Sequence, residues 1–577
     1  MNASTAAARA VVAALREAGV QDVVLCPGSR SAPLAYALAA ADAAGGPRLH
    51  VRVDERAAGF TALGLALGGP APAAVVTTSG TAVANLHPAV LEAHESAVPL
   101  LVLSADRPHR LRGTWANQTT ALQAGLFGGA VRLALDVPAE EPSGRLAGAV
   151  RDAVATARGT GGRRPGPVHV DVAFDDPLVP DDDPPAVDDD PLAPGTVAAG
   201  PTAPARDDVP DHPDAVVLAA GPRTVVVAGA GAGDDARRLA EAAGWPLLAE
   251  PSSGARGGPH AIGPYRLLLD EPGLGGRVER VVVLGRPTLS RPVTRLLARD
   301  DVEVVHVVRH ADDPRADDPR AGRAVRRVPA VRAGAGGDDG GWLESWRRAG
   351  RLATAALDDV LDHTVDRAVD RAQGAPRPLD GLVLAREVAR ATAPDDVLVA
   401  AASNAVRDLD LAGAPWDRPR RVLANRGLSG IDGTLSTASG VALATGRRTR
   451  VLVGDLAFLH DLNGLLAGPA EPEPDLQVVL LDDDGGGIFS LLEHGDERFA
   501  TVFERVFGTP HGSDVAALCR GIGVPHRPAV DLADLRTALA DPPPGRSVLH
   551  VRADRSARRD LHARVADAVR VAVNGPR

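Results

Sequence analysis

The chain is 577 residues long, 45% hydrophobic, and carries a formal net charge of −11. That length exceeds a single core and suits about three or four domains, while the acidic balance leaves no basic footprint for nucleic acid. All 63 basic residues are Arg, which excludes a lysine Schiff base, and the two cysteines, Cys26 and Cys519, exclude a disulfide framework and fit a reducing cytoplasm.

Residues 4–18 predict an amphipathic helix capped by Ser4 or Thr5, in place of the basic region and apolar core of a signal segment. Strands are predicted at 22–26, 49–53, 73–78, 99–104 and 167–172, with helices near 31–41, 55–67, 81–94 and 145–157. Such alternation implies a parallel sheet with helices on both faces. The Pro/Asp-rich stretch from Pro180 to Asp214 cannot bury a core and reads as a connector or wrapping segment. A second α/β region opens at Thr224-Val-Val-Val-Ala-Gly-Ala-Gly-Ala-Gly233 and includes strands 280–284 and 302–308. Its glycine run lacks the third glycine and the ribose-binding acid of a dinucleotide fingerprint, and reads as a structural turn. The duplication Ala311-Asp-Asp-Pro-Arg315, Ala316-Asp-Asp-Pro-Arg320 is too short to define a repeat fold. Residues 342–371 read as helix and Gly374-Ala-Pro-Arg-Pro378 as a hinge. From Leu379 the βα alternation resumes, with buried parallel strands at 451–453 and 476–481 joined by a crossover helix over 456–467. No uncharged apolar run of about 18 residues occurs, so no membrane span is expected.

The expected architecture is therefore α/β: three domains, each a mostly parallel sheet flanked by helices, with segments 1–185, 186–345, 346–378 (a helical linker) and 379–577. Candidate chemistry collects just beyond strand ends. In the first domain four loops do this: Cys26-Pro-Gly-Ser-Arg-Ser-Ala-Pro33, Val53-Asp-Glu-Arg56, Thr77-Thr-Ser-Gly-Thr-Ala-Val-Ala-Asn85 and Ser104-Ala-Asp-Arg-Pro108. Open α/β sheets bind ligands at that edge. In the last domain, Gly454-Asp455 and the turn Asp482-Asp-Asp-Gly-Gly-Gly487 follow two parallel strands and fall side by side. Hard oxygen ligands there suit Mg²⁺, and free backbone N–H groups suit a phosphate. Each feature alone has an ordinary explanation. Glu55 suits a helix's first turn, Asp455 a cap, the acidic triplet a turn, and most arginines a solvated surface. Their convergence favours a site.

Val53-Asp-Glu-Arg56, Gly80-Thr-Ala-Val-Ala-Asn85, Gly454-Asp-Leu456 and Asp483-Asp-Gly-Gly486 resemble the pyrimidine and diphosphate halves of thiamine-diphosphate enzymes. More narrowly, Pro27-Gly-Ser-Arg-Ser31, Ala105-Asp-Arg-Pro108, Asn117-Gln118, Asn425-Arg-Gly-Leu-Ser-Gly-Ile-Asp-Gly433 and Gly487-Ile-Phe-Ser-Leu-Leu492 resemble the SEPHCHC synthase family (2-succinyl-5-enolpyruvyl-6-hydroxy-3-cyclohexene-1-carboxylate synthases of menaquinone biosynthesis). The similarity runs collinearly through both outer domains and is diffuse in the middle one.

The resemblance implies a cytoplasmic transferase that decarboxylates 2-oxoglutarate on thiamine diphosphate and adds the succinyl unit to isochorismate in a 1,4-addition. It implies a pyrimidine-binding domain over 1–185, a central domain over 186–345 and a diphosphate-binding domain over 379–577. By resemblance, Glu55 is the catalytic acid at the cofactor's pyrimidine nitrogen, and Asp455, Asp483 and the Gly485 carbonyl hold Mg²⁺ or Mn²⁺. Thr81, Asn85, Ile431, Gly454, Leu456, Gly486, Ile488 and Phe489 complete the cofactor contacts. Ser29, Arg30, Arg107, Asn117, Gln118, Arg291, Ser403, Arg407 and Arg426 fall at positions for substrate carboxylates, a task to which bidentate guanidinium is suited.

Relatives carry Asn around the metal turn where this chain has three acids, so Asp482 and Asp484 stand as alternatives to Asp483. Gly487 replaces a polar residue of some relatives, and Arg291 stands where others have Lys. The family's two cofactor-binding halves come from different subunits, which implies a homodimer or tetramer. The alternatives are another thiamine-diphosphate carboligase or decarboxylase, acetolactate-synthase-like, or a silent protein on the same scaffold. A pocket for pyruvate alone does not need so many arginines, and a silent protein has no reason to keep Glu55 with both metal acids.

Overall fold

The computed structural model describes residues 1–182, 214–310, 312–313, 325–334, 341–368 and 379–575. Most of the Pro/Asp-rich stretch, most of the duplicated segment and the 374–378 hinge lie outside them. The chain divides into two compact units. One comprises Met1–Pro204, Asn425–Thr449 and Leu459–Leu476; the other comprises Ala205–Ala424, Arg450–Phe458 and Gln477–Arg577.

The first unit is built on β1 (Asp22–Leu25), β2 (Arg48–Val51), β3 (Ala73–Thr77), β4 (Leu100–Asp106), β5 (Ala134–Val137) and β6 (Val168–Ala173), in the parallel order β2-β1-β3-β4-β6-β5. Side chains alternate across the sheet. Val23, Leu25, Val76, Leu101 and Leu103 enter one buried cluster; Val24, Val75, Leu100 and Val102 enter another on the opposite face. Each cluster is covered by helices, which is why these strands are apolar throughout. β1 lies between β2 and β3, so the chain leaves it in both directions. That switch point opens a crevice at the carboxyl edge.

Two helices of this unit meet at unusually close range. On Glu55–Gly68 and Thr434–Thr445, a Cβ added to Gly64 would lie 2.1 Å from the Thr437 carbonyl oxygen, and one on Gly440 would lie 2.1 Å from that of Thr61. The first helix begins at Glu55 and the second directly follows the glycine-rich string 425–433. Their contact therefore fixes both starting points.

The second unit holds two larger sheets. β8 (Thr224–Ala228), β9 (Leu247–Ala249), β10 (Arg280–Leu284), β11 (Glu303–Val307) and β12 (Arg326–Val328) form one in the order β12-β11-β10-β8-β9, beside a small parallel pair of β7 (Val216–Leu218) and β13 (Val331–Ala333). β14 (Val397–Ala400), β15 (Arg421–Leu423), β16 (Thr449–Gly454), β17 (Leu476–Asp482), β18 (His526–Ala529) and β19 (Arg546–Arg552) form the other, in the order β15-β14-β16-β17-β19-β18. β14 lies between β15 and β16, another switch point, flanked by the loops after β14 and β16. No helix among the described residues is long and apolar enough to cross a membrane.

Several expected details are corrected. The first helix, Ala3–Glu17, is capped by Asn2, whose Oδ1 accepts from Thr5 N at 2.9 Å; Ser4 and Thr5 already lie inside the first turn and are buried. The helix expected over 81–94 is two helices, Thr81–Ala84 and His87–Ser96. Pro88 lacks an N–H and clashes with the carbonyl four residues back, so the first helix stops and Pro88 falls in the new first turn. The crossover expected as one helix over 456–467 is Asp455–His460 followed by a 3₁₀ turn, Leu462–Leu465. Between them the buried Asp461 carboxylate accepts from Ser436 N at 2.7 Å and Ser436 Oγ at 2.9 Å, which breaks the helical run.

Candidate active site

In the first unit, the loop after β1 passes so close to β3 that a Cβ on Gly28 would stand 2.3 Å from Thr78 Cβ. Only glycine lets the following Ser29 and Arg30 take their places. Ser29 is exposed, and Arg30 donates from Nη1 to the Phe174 carbonyl at 2.9 Å, with Asp176 3.8 Å away. Arg107, one residue past β4, is buried. Its Nη1 donates to Ser79 Oγ at 3.0 Å and to the Gln118 carbonyl at 2.9 Å, and its Nη2 to Asn117 Oδ1 at 2.7 Å. Gln118 adopts φ +48°, a left-handed conformation uncommon for a side chain of its size, with its carbonyl on Arg107. Burial, and then the charge of Arg30, lower the Arg107 pKa. The two guanidinium charges thus act on one another at this edge, with the carboxylates of Asp106 and Asp176 opposing the effect.

Glu55 opens its helix half-buried, after Asp54, whose carboxylate caps Ala57 N at 3.1 Å and accepts from Asn463 Nδ2 at 2.8 Å. The Cys26 thiol is pushed far up, chiefly by burial and next by the charges of Glu55 and Asp54. The carboxyl ends of the parallel neighbours β1 and β2 therefore bring the Cys26 thiol within electrostatic reach of the Glu55 and Asp54 carboxylates. Thr81 and Asn85 lie exposed at the two ends of the short helix after β3. Arg426 is buried and Ile431 half-buried on the glycine-rich string, which ends at Gly433 with φ +67°. A Cβ there would lie 1.9 Å from Phe60 Cγ.

In the second unit, Gly454, Asp455 and Leu456 follow β16, and a Cβ on Gly454 would meet nothing within 4 Å. Asp455 is buried; its Oδ1 accepts from Leu456 N at 2.6 Å and its Oδ2 from Gly485 N at 2.8 Å. The second bond ties the loop after β16 to the acidic turn after β17.

The three acids of that turn have different environments. Asp482 is buried, yet His550 Nε2 at 2.9 Å and the Asp484 N–H offset the burial and hold its pKa down to about 2. Asp483 is buried beside Asp455, and burial first, then that like charge, push it up to about 7. Asp484 is exposed at φ +55° and accepts from Gly512 N at 2.9 Å and His511 N at 3.0 Å, which lower its pKa. It faces the loop at 511–512, with His511 Nδ1 3.8 Å from its Oδ1.

The ligand atoms of Asp455, Asp482 and His511 all lie within 4.8 Å of one another, His511 Nε2 being 3.3 Å from Asp455 Oδ2. Burial first raises the pKa of both Asp455 and Asp483, and each also feels a second carboxylate, Asp482 in the first case and Asp455 in the second. The two carboxylates offer the oxygen donors that a hard divalent ion takes, and His511 adds an imidazole nitrogen.

The glycines of the turn are sterically required. Gly485 has φ +134°, and a Cβ on it would lie 1.8 Å from the Gly508 carbonyl oxygen; one on Gly486 would lie 2.0 Å from that of Phe507. On Gly487 a Cβ would lie 2.2 Å from Asp483 Oδ2, so the glycine at this position makes room for that carboxylate. Ile488 is half-buried, and Phe489 packs against Phe507 at a centroid distance of 5.5 Å.

Ser403, after β14, holds φ +68°, and Arg407 Nη1 donates back to its carbonyl at 2.7 Å, both at the switch-point edge. Arg291 is exposed and pairs with the exposed Glu493 at 2.8 Å.

Some residues here were not singled out by the sequence. His511 and His550 frame Asp482; the buried Arg558 lies near Asp483 and pairs with Asp408. Gln123 is buried and bridges three segments, accepting from Gly80 N at 2.8 Å and donating to the Ala105 carbonyl at 3.1 Å and Asp171 Oδ1 at 2.8 Å. Lone His, Arg and Gln residues carry no spacing signal, so only the fold identifies them.

Residues 5–126 match the family described as the N-terminal thiamine pyrophosphate-binding domain of thiamine pyrophosphate enzymes, and residues 410–549 match the C-terminal one. Over 99% of its length the chain is 53% identical to a 2-succinyl-5-enolpyruvyl-6-hydroxy-3-cyclohexene-1-carboxylate synthase from Kineococcus radiotolerans, covering 100% of that protein. Proteins of the same name from Paenarthrobacter aurescens and a Nocardioides species are each 49% identical, over 99% and 97% of this chain and 97% of each relative. The benzoylformate decarboxylase structure from Polynucleobacter necessarius superposes with a TM-score of 0.62 at 17% identity, covering 95% of this chain and 98% of that one, a likeness of fold.

Proposed function

The chain belongs to the 2-succinyl-5-enolpyruvyl-6-hydroxy-3-cyclohexene-1-carboxylate synthase family of thiamine-diphosphate enzymes, and from that premise we propose that it joins the succinyl unit of 2-oxoglutarate to isochorismate with Mg²⁺ or Mn²⁺ as its metal. Bound thiamine diphosphate supplies the electron sink that makes decarboxylation of a 2-oxo acid possible. The protein's part is geometry and electrostatics. We assign the pyrimidine end to 1–185 and the diphosphate end to 379–577.

Asp455, Asp483 and the Gly485 carbonyl would hold the metal, and Asp482 and His511, whose ligand atoms cluster with those of Asp455, would lie beside that first carboxylate. Gly454, Leu456, Gly486 and Ile488 would line the cofactor, with Phe489 anchored by its aromatic neighbours. Glu55, Thr81, Asn85 and Ile431 would meet its pyrimidine end. Glu55 would hold a proton at a ring nitrogen of that end. Since the family's two ends come from different subunits, the active form is a homodimer or tetramer, and two buried free cysteines suit a cytoplasmic setting.

The observation that carries the substrate side is the neighbouring cation pair Arg30 and Arg107, with Ser79, Asn117 and Gln118 holding Arg107 in place. Arg407 and Ser403 of the second unit, together with Ser29, Arg426 and Arg291, would extend the set for two dicarboxylate substrates. The test is direct. Purified protein with thiamine diphosphate and Mg²⁺ should consume 2-oxoglutarate and isochorismate one for one with release of carbon dioxide; consumption of either alone at the same rate would overturn the assignment.

A further inference from the structure

Glu92 lies on the helix His87–Ser96, 4% exposed, in the same unit as the glycine-rich string. Its Oε1 accepts from Gly427 N at 2.6 Å and its Oε2 from Leu428 N at 2.7 Å; Ser96 Oγ donates to Oε1 at 2.8 Å. Two consecutive amides aimed at one carboxylate fix the orientation of two consecutive peptide planes. Charge-assisted bonds of this kind, away from water, are among the strongest that side chains make to backbone.

The fit leaves no slack. A Cβ on Gly427 would lie 2.6 Å from Glu92 Oε1 and 2.7 Å from the Glu92 carbonyl oxygen. Beyond the clamp the backbone turns left-handed at Ser429, φ +61°, and at Gly433, φ +67°. Next to it is a cavity of about 270 Å³ lined by Phe60, His87, Leu91, Glu92, Asn425 and Leu428. That side of the string therefore borders open space, and the Glu92 carboxylate is a fixed support beside it. The residue immediately before the clamped amides is the buried Arg426.

We propose that Glu92 is a positioning residue: by gripping the amides of Gly427 and Leu428 it sets the backbone that aims Arg426 at a substrate carboxylate. The inference rests on the reading of Arg426 as a substrate ligand given above. Glu92 touches neither substrate nor cofactor in this role; it acts through the loop. An amide in place of the carboxylate keeps the shape, but its NH₂ group turns one clamped N–H into a donor facing a donor.

The experiment compares Glu92→Gln, Arg426→Ala and the double variant in the full-length holoenzyme. Three readouts are needed: hydrogen exchange of the peptide spanning 425–433, KM and kcat for each substrate, and the thiamine diphosphate dissociation constant. Glu92→Gln should speed exchange at the 427 and 428 amides about tenfold or more and raise the KM of one dicarboxylate substrate by about tenfold, with kcat and cofactor affinity changed less than about threefold. In the Arg426→Ala background it should add almost nothing to KM, because the two act as one unit.

If Arg426→Ala leaves both KM values unchanged, the reading of Arg426 fails and takes the proposal with it. If Arg426→Ala raises KM but Glu92→Gln does not, or if their effects multiply, the proposal fails while that reading stands. Should Glu92→Gln not fold, Gly427→Ala pushes the loop off the same carboxylate and should reproduce the KM effect; unchanged KM in that variant overturns the proposal.

Discussion

Replacing Gly64 by Ala tests the contact that sets the starts of both the Glu55 helix and the helix after the glycine-rich string. Two effects oppose each other. Alanine is favoured over glycine within a helix by about 1 kcal/mol. Against this, the new Cβ would lie 2.1 Å from the Thr437 carbonyl oxygen and 2.9 Å and 3.0 Å from its carbonyl carbon and Cα, all backbone atoms that cannot rotate away. Restoring ordinary contact requires the helix axes to part by about 1 Å. Overpacking of that kind costs about 1–3 kcal/mol.

The upper end applies here, because parting the axes also loosens the contacts at Gly68 and Gly440, where a Cβ would stand 2.7 Å from Ala444 Cβ and 2.1 Å from the Thr61 oxygen. The net expectation is a loss of about 2 kcal/mol. Urea unfolding followed by far-ultraviolet circular dichroism measures it. Gly440→Ala should cost a similar amount, and the double variant less than the sum, since one displacement relieves both clashes. A Gly64→Ala protein as stable as its parent, or more so, would refute the close helix contact.

Glu55→Gln should retain thiamine diphosphate while exchange of the cofactor's C2 proton slows by about 10²–10⁴-fold, measured by quenched-flow NMR; unchanged exchange removes Glu55 from its role. Arg558→Met should cost about 3–5 kcal/mol in the same urea assay, because it leaves the buried Asp408 uncompensated; a loss below about 1 kcal/mol would contradict that. Asp171, buried near Asp106 and Arg112, has its pKa raised to about 7, chiefly by burial. A raised carboxyl adds stability that is fully present below its unfolded value and lost as pH rises through the folded one, so between about pH 4 and 7 the parent should weaken with rising pH. Asp171→Asn should flatten that slope, gaining on the parent by up to a few kcal/mol at about pH 8; a parent–variant gap independent of pH would count against the protonated Asp171.

Much of this architecture is legible from the residues themselves. The Val- and Leu-rich runs at 224–228, 280–284 and 476–481 are buried because both faces of their sheets are covered, and the loops that follow carry the polar chemistry. Other elements give weaker signals. β5, Ala134–Val137, is an edge strand with mostly exposed or half-buried side chains, so its pattern resembles a loop. The cap at Asn2 and the interruption at Pro88 follow from local chemistry that a longer apolar periodicity masks. Within the acidic turn, composition gives three equivalent candidates, whereas the fold separates them: Asp482 on His550, Asp483 against Asp455, Asp484 on the loop at 511–512. Glu92 and His511 reach their partners only through tertiary contacts, and no spacing in the chain announces them.

The central claim is that the arginine set selects a dicarboxylate 2-oxo acid. The most direct measurement is competition between 2-oxoglutarate and pyruvate as donors, with isochorismate as acceptor and kcat/KM read from product formation. The cation pair Arg30–Arg107 and its partners predict a preference for 2-oxoglutarate of at least about a hundredfold, since pyruvate lacks the second carboxylate and leaves a buried guanidinium without its anion. Equal use of the two acids, or a preference for pyruvate, would contradict the account.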